Sequence, residues 1–164
     1  MAVRPFPASA GGILLAALTL GVTAPAATGQ TPLPAGHEIK LLPGFAHEPR
    51  RGIDSIVGLL AKKDGLQINF EMGGGVLPGA PRFGGSYVNQ ALRLPGADRL
   101  WLKEQAVGGR TFHVAYGKDH LLIISSASAK TGVNFHAVAK TPEDVADVLL
   151  MVLTLTEQKA KKEK

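Results

Sequence analysis

Residues 99–127, RLWLKEQAVGGRTFHVAYGKDHLLIISSA, decide the fold. Three apolar runs rich in β-branched and aromatic residues are separated by two short turn signals, Gly108-Gly109 and Lys118-Asp119. A strand alternates its side chains between two faces, and a two-residue turn of positive φ folds one strand back on the next. The stretch therefore reads as a three-stranded antiparallel meander, Arg99 to Val107, Arg110 to Gly117 and His120 to Ala127.

Two-residue loops also set a register. The Gly108-Gly109 loop places Val107 opposite Arg110, Glu104 opposite His113 and Trp101 opposite Tyr116. A Lys118-Asp119 loop would place His113 opposite Ile124 and Thr111 opposite Ser126. One face then carries Trp101, Phe112, Val114, Tyr116, Leu121 and Ile123. The other carries Leu100, Leu102, Ala115, Leu122 and Ile124 beside Glu104, Thr111, His113 and Ser126.

Downstream, Val133 to Ala139 reads as a last strand. Thr141 then suits a helix N-cap, Pro142 the first helical position, and Glu143 and Asp144 the positive end of the helix dipole. Val145, Val148, Leu149, Val152 and Leu155 recur at helical spacing, with Leu153 widening the stripe. So apolar a helix face must cover a sheet. Upstream, Ser55 to Ala61, the turn Lys62-Lys63-Asp64-Gly65 and the alternating run Leu66, Ile68, Phe70, Met72 read as a hairpin with a half-buried second strand. The expected fold class is α+β: an antiparallel sheet of five or six strands, covered on one face by a C-terminal helix.

Between hairpin and meander, Gly73 to Asp98 breaks the pattern with Gly73-Gly74-Gly75 and Gly84-Gly85, and a short helix is expected around Tyr87 to Leu92. Connections this long are uncommon in a small domain and often functional. Arg82, Phe83 and Tyr87 are its most contact-worthy side chains. Residues 30–52, with Pro32, Pro34, Pro43 and Pro49, read as a linker and lead-in, with a short edge strand around Ile39 to Leu42.

The first 29 residues have the order of a secretory signal: Arg4, an apolar run of 12 residues from Gly11 to Val22, then small residues to Gly29. A membrane-spanning helix needs roughly 20 apolar residues, so no transmembrane anchor is expected in the mature chain. Cleavage is expected after Ala26 or after Gly29. With no cysteine in the chain, neither disulfides nor a lipoprotein's acylated cysteine is available. The expected organisation is signal 1–29, lead-in 30–52, one α+β domain 53–158 and a basic tail 159–164, in a periplasmic or extracellular compartment.

The net charge of +5 sits mostly at the ends, on Arg4 and on Lys159, Lys161, Lys162 and Lys164, offset there by Glu163. About +1 is left between them. A nucleic-acid reader carries a basic stripe on its fold, often interleaved with aromatics, and none is present here. The lysine tail suits solvation or weak contact with an anionic surface.

Glu104, His113 and Ser126 are the residue types of an acid, a base and a nucleophile, but Ser126 would lie mid-strand rather than on a sharp turn. A cross-strand ion pair is the plainer reading of Glu104 and His113. His47-Glu48 lacks the second histidine of a zincin helix, and the glycine-rich stretch lacks the lysine and serine of a P-loop. No metal site or cofactor is expected. The leading expectation is a non-enzymatic exported module that binds a partner protein or small ligand through the glycine-rich segment and the second sheet face. The alternatives are an extracytoplasmic hydrolase using His113 and Glu104, and a structural envelope protein held by its lysine tail.

Overall fold

The structure, a computed structural model, describes residues 29–52, 55–63, 65–73, 89–127 and 132–157. In chain order these form β1 (Thr31–Leu33), β2 (His37–Ile39), β3 (Phe45–Pro49), β4 (Ile56–Lys62), β5 (Gln67–Gly73), α1 (Gln90–Arg93), β6 (Arg99–Val107), β7 (Arg110–Gly117), β8 (Leu121–Ala127), β9 (Gly132–Val138), α2 (Pro142–Val152) and β10 (Thr156–Glu157). The strands make two antiparallel sheets, a large one of order β3-β4-β5-β9-β8-β7-β6 and a small one of order β1-β2-β10. The fold is mostly antiparallel sheet with few helices. It has more strands than the five or six expected, because residues 31–49 and the C-terminal Thr156–Glu157 also pair.

The hairpin and the first meander turn follow the sequence. β4 and β5 pair antiparallel, and Ile68, Phe70 and Met72 are buried as the alternation requires. Gly108 and Gly109 both adopt positive φ, and the β6–β7 register has Trp101 opposite Tyr116, Glu104 opposite His113 and Val107 opposite Arg110.

The second turn differs. Its loop has three residues, Lys118–His120, with Asp119 at φ 60° and His120 at φ 62°. The extra residue moves β8 by one, so that His113 faces Ser125 and Phe112 faces Ser126. A shift of one residue exchanges the two faces of a strand. Leu122, Ile124 and Ser126 therefore join Phe112 and Val114, where Leu121 and Ile123 were expected.

That face holds the main core. Leu60, Ile68, Phe70, Met72, Phe112, Val114, Leu122, Ile124, Val133, Phe135 and Ala137 of the large sheet cluster with Val148, Met151 and Val152 of α2. The helix does not close the face alone: Leu33 and Ile39 of the small sheet and Leu155 belong to the same cluster. The start of α2 is as expected, in a box where Thr141 Oγ1 accepts from the Asp144 amide and the Asp144 carboxylate accepts from the Thr141 and Lys140 amides. At its other end Thr154 Oγ1 donates to the Met151 carbonyl and accepts from the Lys40 amide, so the lead-in and the C-terminus are tied together before β10 pairs with β2.

On the opposite face α1 sits over a smaller apolar cluster of Ala91, Ala115 and Ile123, with Leu94, Leu102 and Leu121 packed around it. This is the second face of the meander, offered in the sequence as a binding surface. The register shift puts Leu121 and Ile123 on it in place of Leu122 and Ile124, and α1 covers part of it.

Gly58 on β4 lies opposite Phe70, whose ring also packs against Phe135 and His47. A Cβ at Gly58 would overlap the Phe70 ring. Gly58→Ala is expected to destabilise the protein by about 1–3 kcal/mol, the usual cost of overpacking. Adding Phe70→Leu should recover part of that loss in denaturant unfolding. A Gly58→Ala variant as stable as the parent would contradict this packing.

Candidate functional site

Two residues singled out in the sequence, Glu104 and His113, lie in a polar row across the large sheet. Glu104, His113, Ser125, Asn134 and Glu71 are successive cross-strand neighbours on β6, β7, β8, β9 and β5. His113 Nε2 lies 3.4 Å from Glu104 Oε2, so the expected pair is formed. Ser126 is not part of it. The displaced register turns Ser126 to the other face, where its hydroxyl donates to the Thr111 carbonyl at 2.9 Å.

Ser125 takes the place beside His113, but its hydroxyl is committed. It donates to Asn134 Oδ1 at 2.7 Å and accepts from the Ala91 amide at 2.9 Å. Asn134 Oδ1 also accepts from the Gln90 amide, and Gln90 Nε2 donates to Glu71 Oε2. Buried polar groups are costly unless bonded, and these bonds hold α1 on the sheet. Arg82, Phe83, Tyr87 and the tail lysines lie outside the described residues.

Sequence reading missed two arrangements. The first is a clamp between the two sheets. His37 on β2 is fully buried, with Nε2 3.5 Å from Glu157 Oε1, and Arg110 Nη2 reaches the same oxygen at 3.4 Å. Burial, and then the Arg110 charge, hold the His37 imidazole below its usual pKa, against Glu157 and the carbonyls of Pro34 and Ala35. Arg110 and Glu157 also wall a groove of about 840 Å³ with Gly108, Thr111, Thr154 and Thr156. Its charges are already matched to each other.

The second is a cavity of about 320 Å³ between the β6–β7 edge and the start of α2, lined by Trp101, Tyr116, His120, Lys140, Thr141, Pro142 and Val145. Trp101, partly exposed, stacks on Tyr116 with centroids 5.6 Å apart and ring planes at 25°. The Tyr116 hydroxyl donates its single proton to the Ala139 carbonyl at 2.9 Å, and it lies 3.1 Å from His120 Nδ1. With the Tyr116 proton given to Ala139, the second bond is assigned a hydrogen on His120 Nδ1, and in that tautomer Nε2 is an acceptor. The His120 carbonyl in turn accepts from the Ala139 amide. Trp101 and Tyr116 were legible as one face of the meander. Lys140 to Val145 were legible only as the start of a helix, and nothing in the sequence joins the two.

Among the described residues no helix is long and apolar enough to cross a membrane, and no group of three His, Cys, Asp or Glu side chains is placed to hold a metal ion. No protein-family model matches the chain, and no curated protein matches it. Among solved structures, the chain is similar to the solution structure of cyanobacterial PsbP (CyanoP) from Synechocystis sp. PCC 6803. The identity is 10% and the TM-score 0.49, over 75% of this chain and 87% of that one.

Burial also lowers the pKa of His47 and of His136, the latter opposed by Glu71. With folded values below the usual 6.5 at His37, His47 and His136, the unfolded chain binds more protons over that interval. Their contribution to stability is complete above 6.5 and is lost as pH falls toward the folded values. The denaturation midpoint should therefore drop between pH 7 and pH 5.5, and His136→Asn should lessen the drop. A midpoint that holds or rises over that range would contradict the burial of neutral imidazoles.

Proposed function

We propose that this protein is an exported, non-catalytic binding module and that the cavity beside Trp101 is its binding site. The observation that carries the proposal is the cavity's construction. The chain's single tryptophan is left partly exposed on an edge strand, backed by Tyr116, while a left-handed residue, His120, is held at the rim by bonds to Tyr116 and Ala139. Left-handed backbone costs roughly 1–2 kcal/mol at a residue other than glycine, and strain of this kind gathers at functional sites. Small-ligand sites combine apolar and aromatic walls with a few placed polar groups, as this lining does.

The site moves away from the second sheet face expected from sequence, because α1 occupies part of that face and Ser125 and Asn134 are spent on holding it. The hydrolase alternative loses support for the same reason: among the described residues no free nucleophile stands beside His113, since Ser126 faces the core and Ser125 is doubly bonded. The reading of export rests on the signal pattern of residues 1–29.

With one tryptophan in the chain, its fluorescence reports on this cavity alone. Screening single sugars, amino acids, short peptides and single-chain lipids by Trp101 emission should find a class that shifts it saturably, with Glu104→Gln and His113→Asn variants responding as the parent does. A flat response to every class up to millimolar concentration, or a response lost in those two variants, would contradict the proposal.

A further inference from the structure

The chemistry of the Trp101 cavity narrows its ligand, given that the cavity is the binding site. We infer that it takes a neutral saccharide, with one pyranose ring against the indole and hydroxyls at the rim. Among the described residues no carboxylate lines the cavity and Lys140 does, which disfavours a quaternary ammonium ion of the kind that aromatic cages otherwise bind. A strong anion is poorly served as well. The α2 terminus beside the cavity is already neutralised by Asp144, which accepts from the Lys140 and Thr141 amides.

A wholly apolar ligand would strand the polar lining. His120 Nε2 offers an acceptor, Lys140 offers donors, and Thr141, whose oxygen accepts from the Asp144 amide, keeps its own O–H to donate. Donors and an acceptor around an aromatic and aliphatic wall match a ring with apolar C–H faces and hydroxyls on its edge. At about 320 Å³ the cavity lies at the small end for ligand sites, which suits one or two sugar rings rather than an extended chain.

His120 is the residue on which this can be separated from folding. At φ 62° glycine is the favoured residue, so His120→Gly removes the acceptor while relaxing the backbone. Tyr116→Phe keeps the aromatic stack and removes the hydroxyl that orients the imidazole.

The experiment is a titration of the full chain with glucose, N-acetylglucosamine and the trimers of each, followed by Trp101 emission, with tetraproline, choline and benzoate as competing probes. At least one sugar should shift the emission saturably and with little dependence on salt. His120→Gly and Tyr116→Phe should each weaken it about five-fold or more, the usual weight of one hydrogen bond, with melting temperature held in His120→Gly. A saturable response to tetraproline, choline or benzoate with none to sugars overturns the saccharide assignment and leaves the cavity as a binding site. Silence from every probe overturns both. A sugar response unchanged in the two variants overturns the placement at His120.

Discussion

The three-residue turn at Lys118–His120 governs the rest of the molecule. Two successive left-handed residues reverse the chain there, and the turn is held from outside: the His120 carbonyl accepts from the Ala139 amide, and Tyr116 bridges the Ala139 carbonyl and the His120 ring. Asp119 and His120 are of the non-glycine types that accept positive φ, and those bonds hold the three-residue loop in place of a two-residue one. With them, β8 enters the sheet one residue displaced. Leu122 and Ile124 go to the main core, Ser126 goes in with them, and Ser125 is delivered to the opposite face to hold α1.

The same turn builds the Trp101 cavity. It sets His120 at the rim, it fixes the end of β9 from which Lys140 and the α2 cap follow, and it backs Tyr116, on which Trp101 stacks. Core register and candidate site thus both depend on one local reversal.

Much of the fold was legible because it is written locally. Alternation through Leu66 to Met72, the Gly108-Gly109 turn and the Thr141-Pro142 helix start each carry their own signal, and each is found in place. The β8 register was not legible, since Lys118-Asp119 looks like a complete two-residue loop and the bonds that extend it come from Tyr116 and Ala139. The strands of residues 31–49 were hidden by prolines that read as linker, yet Pro32 and Pro49 sit in outer strands, where a missing amide costs least. Of the site residues, Glu104 and His113 were brought together as expected, whereas the cavity joins a strand pair to a helix start some 40 residues later. Such a juxtaposition is a property of packing, not of any motif.

The lock between Tyr116, His120 and Ala139 is the central claim, and the protonation of one ring nitrogen tests it most directly. Nitrogen-15 NMR of the neutral His120 imidazole should show hydrogen on Nδ1 and a bare Nε2, because the Tyr116 proton belongs to the Ala139 carbonyl. Hydrogen on Nε2 with a bare Nδ1 would contradict it, and with it the acceptor placed at the rim of the cavity.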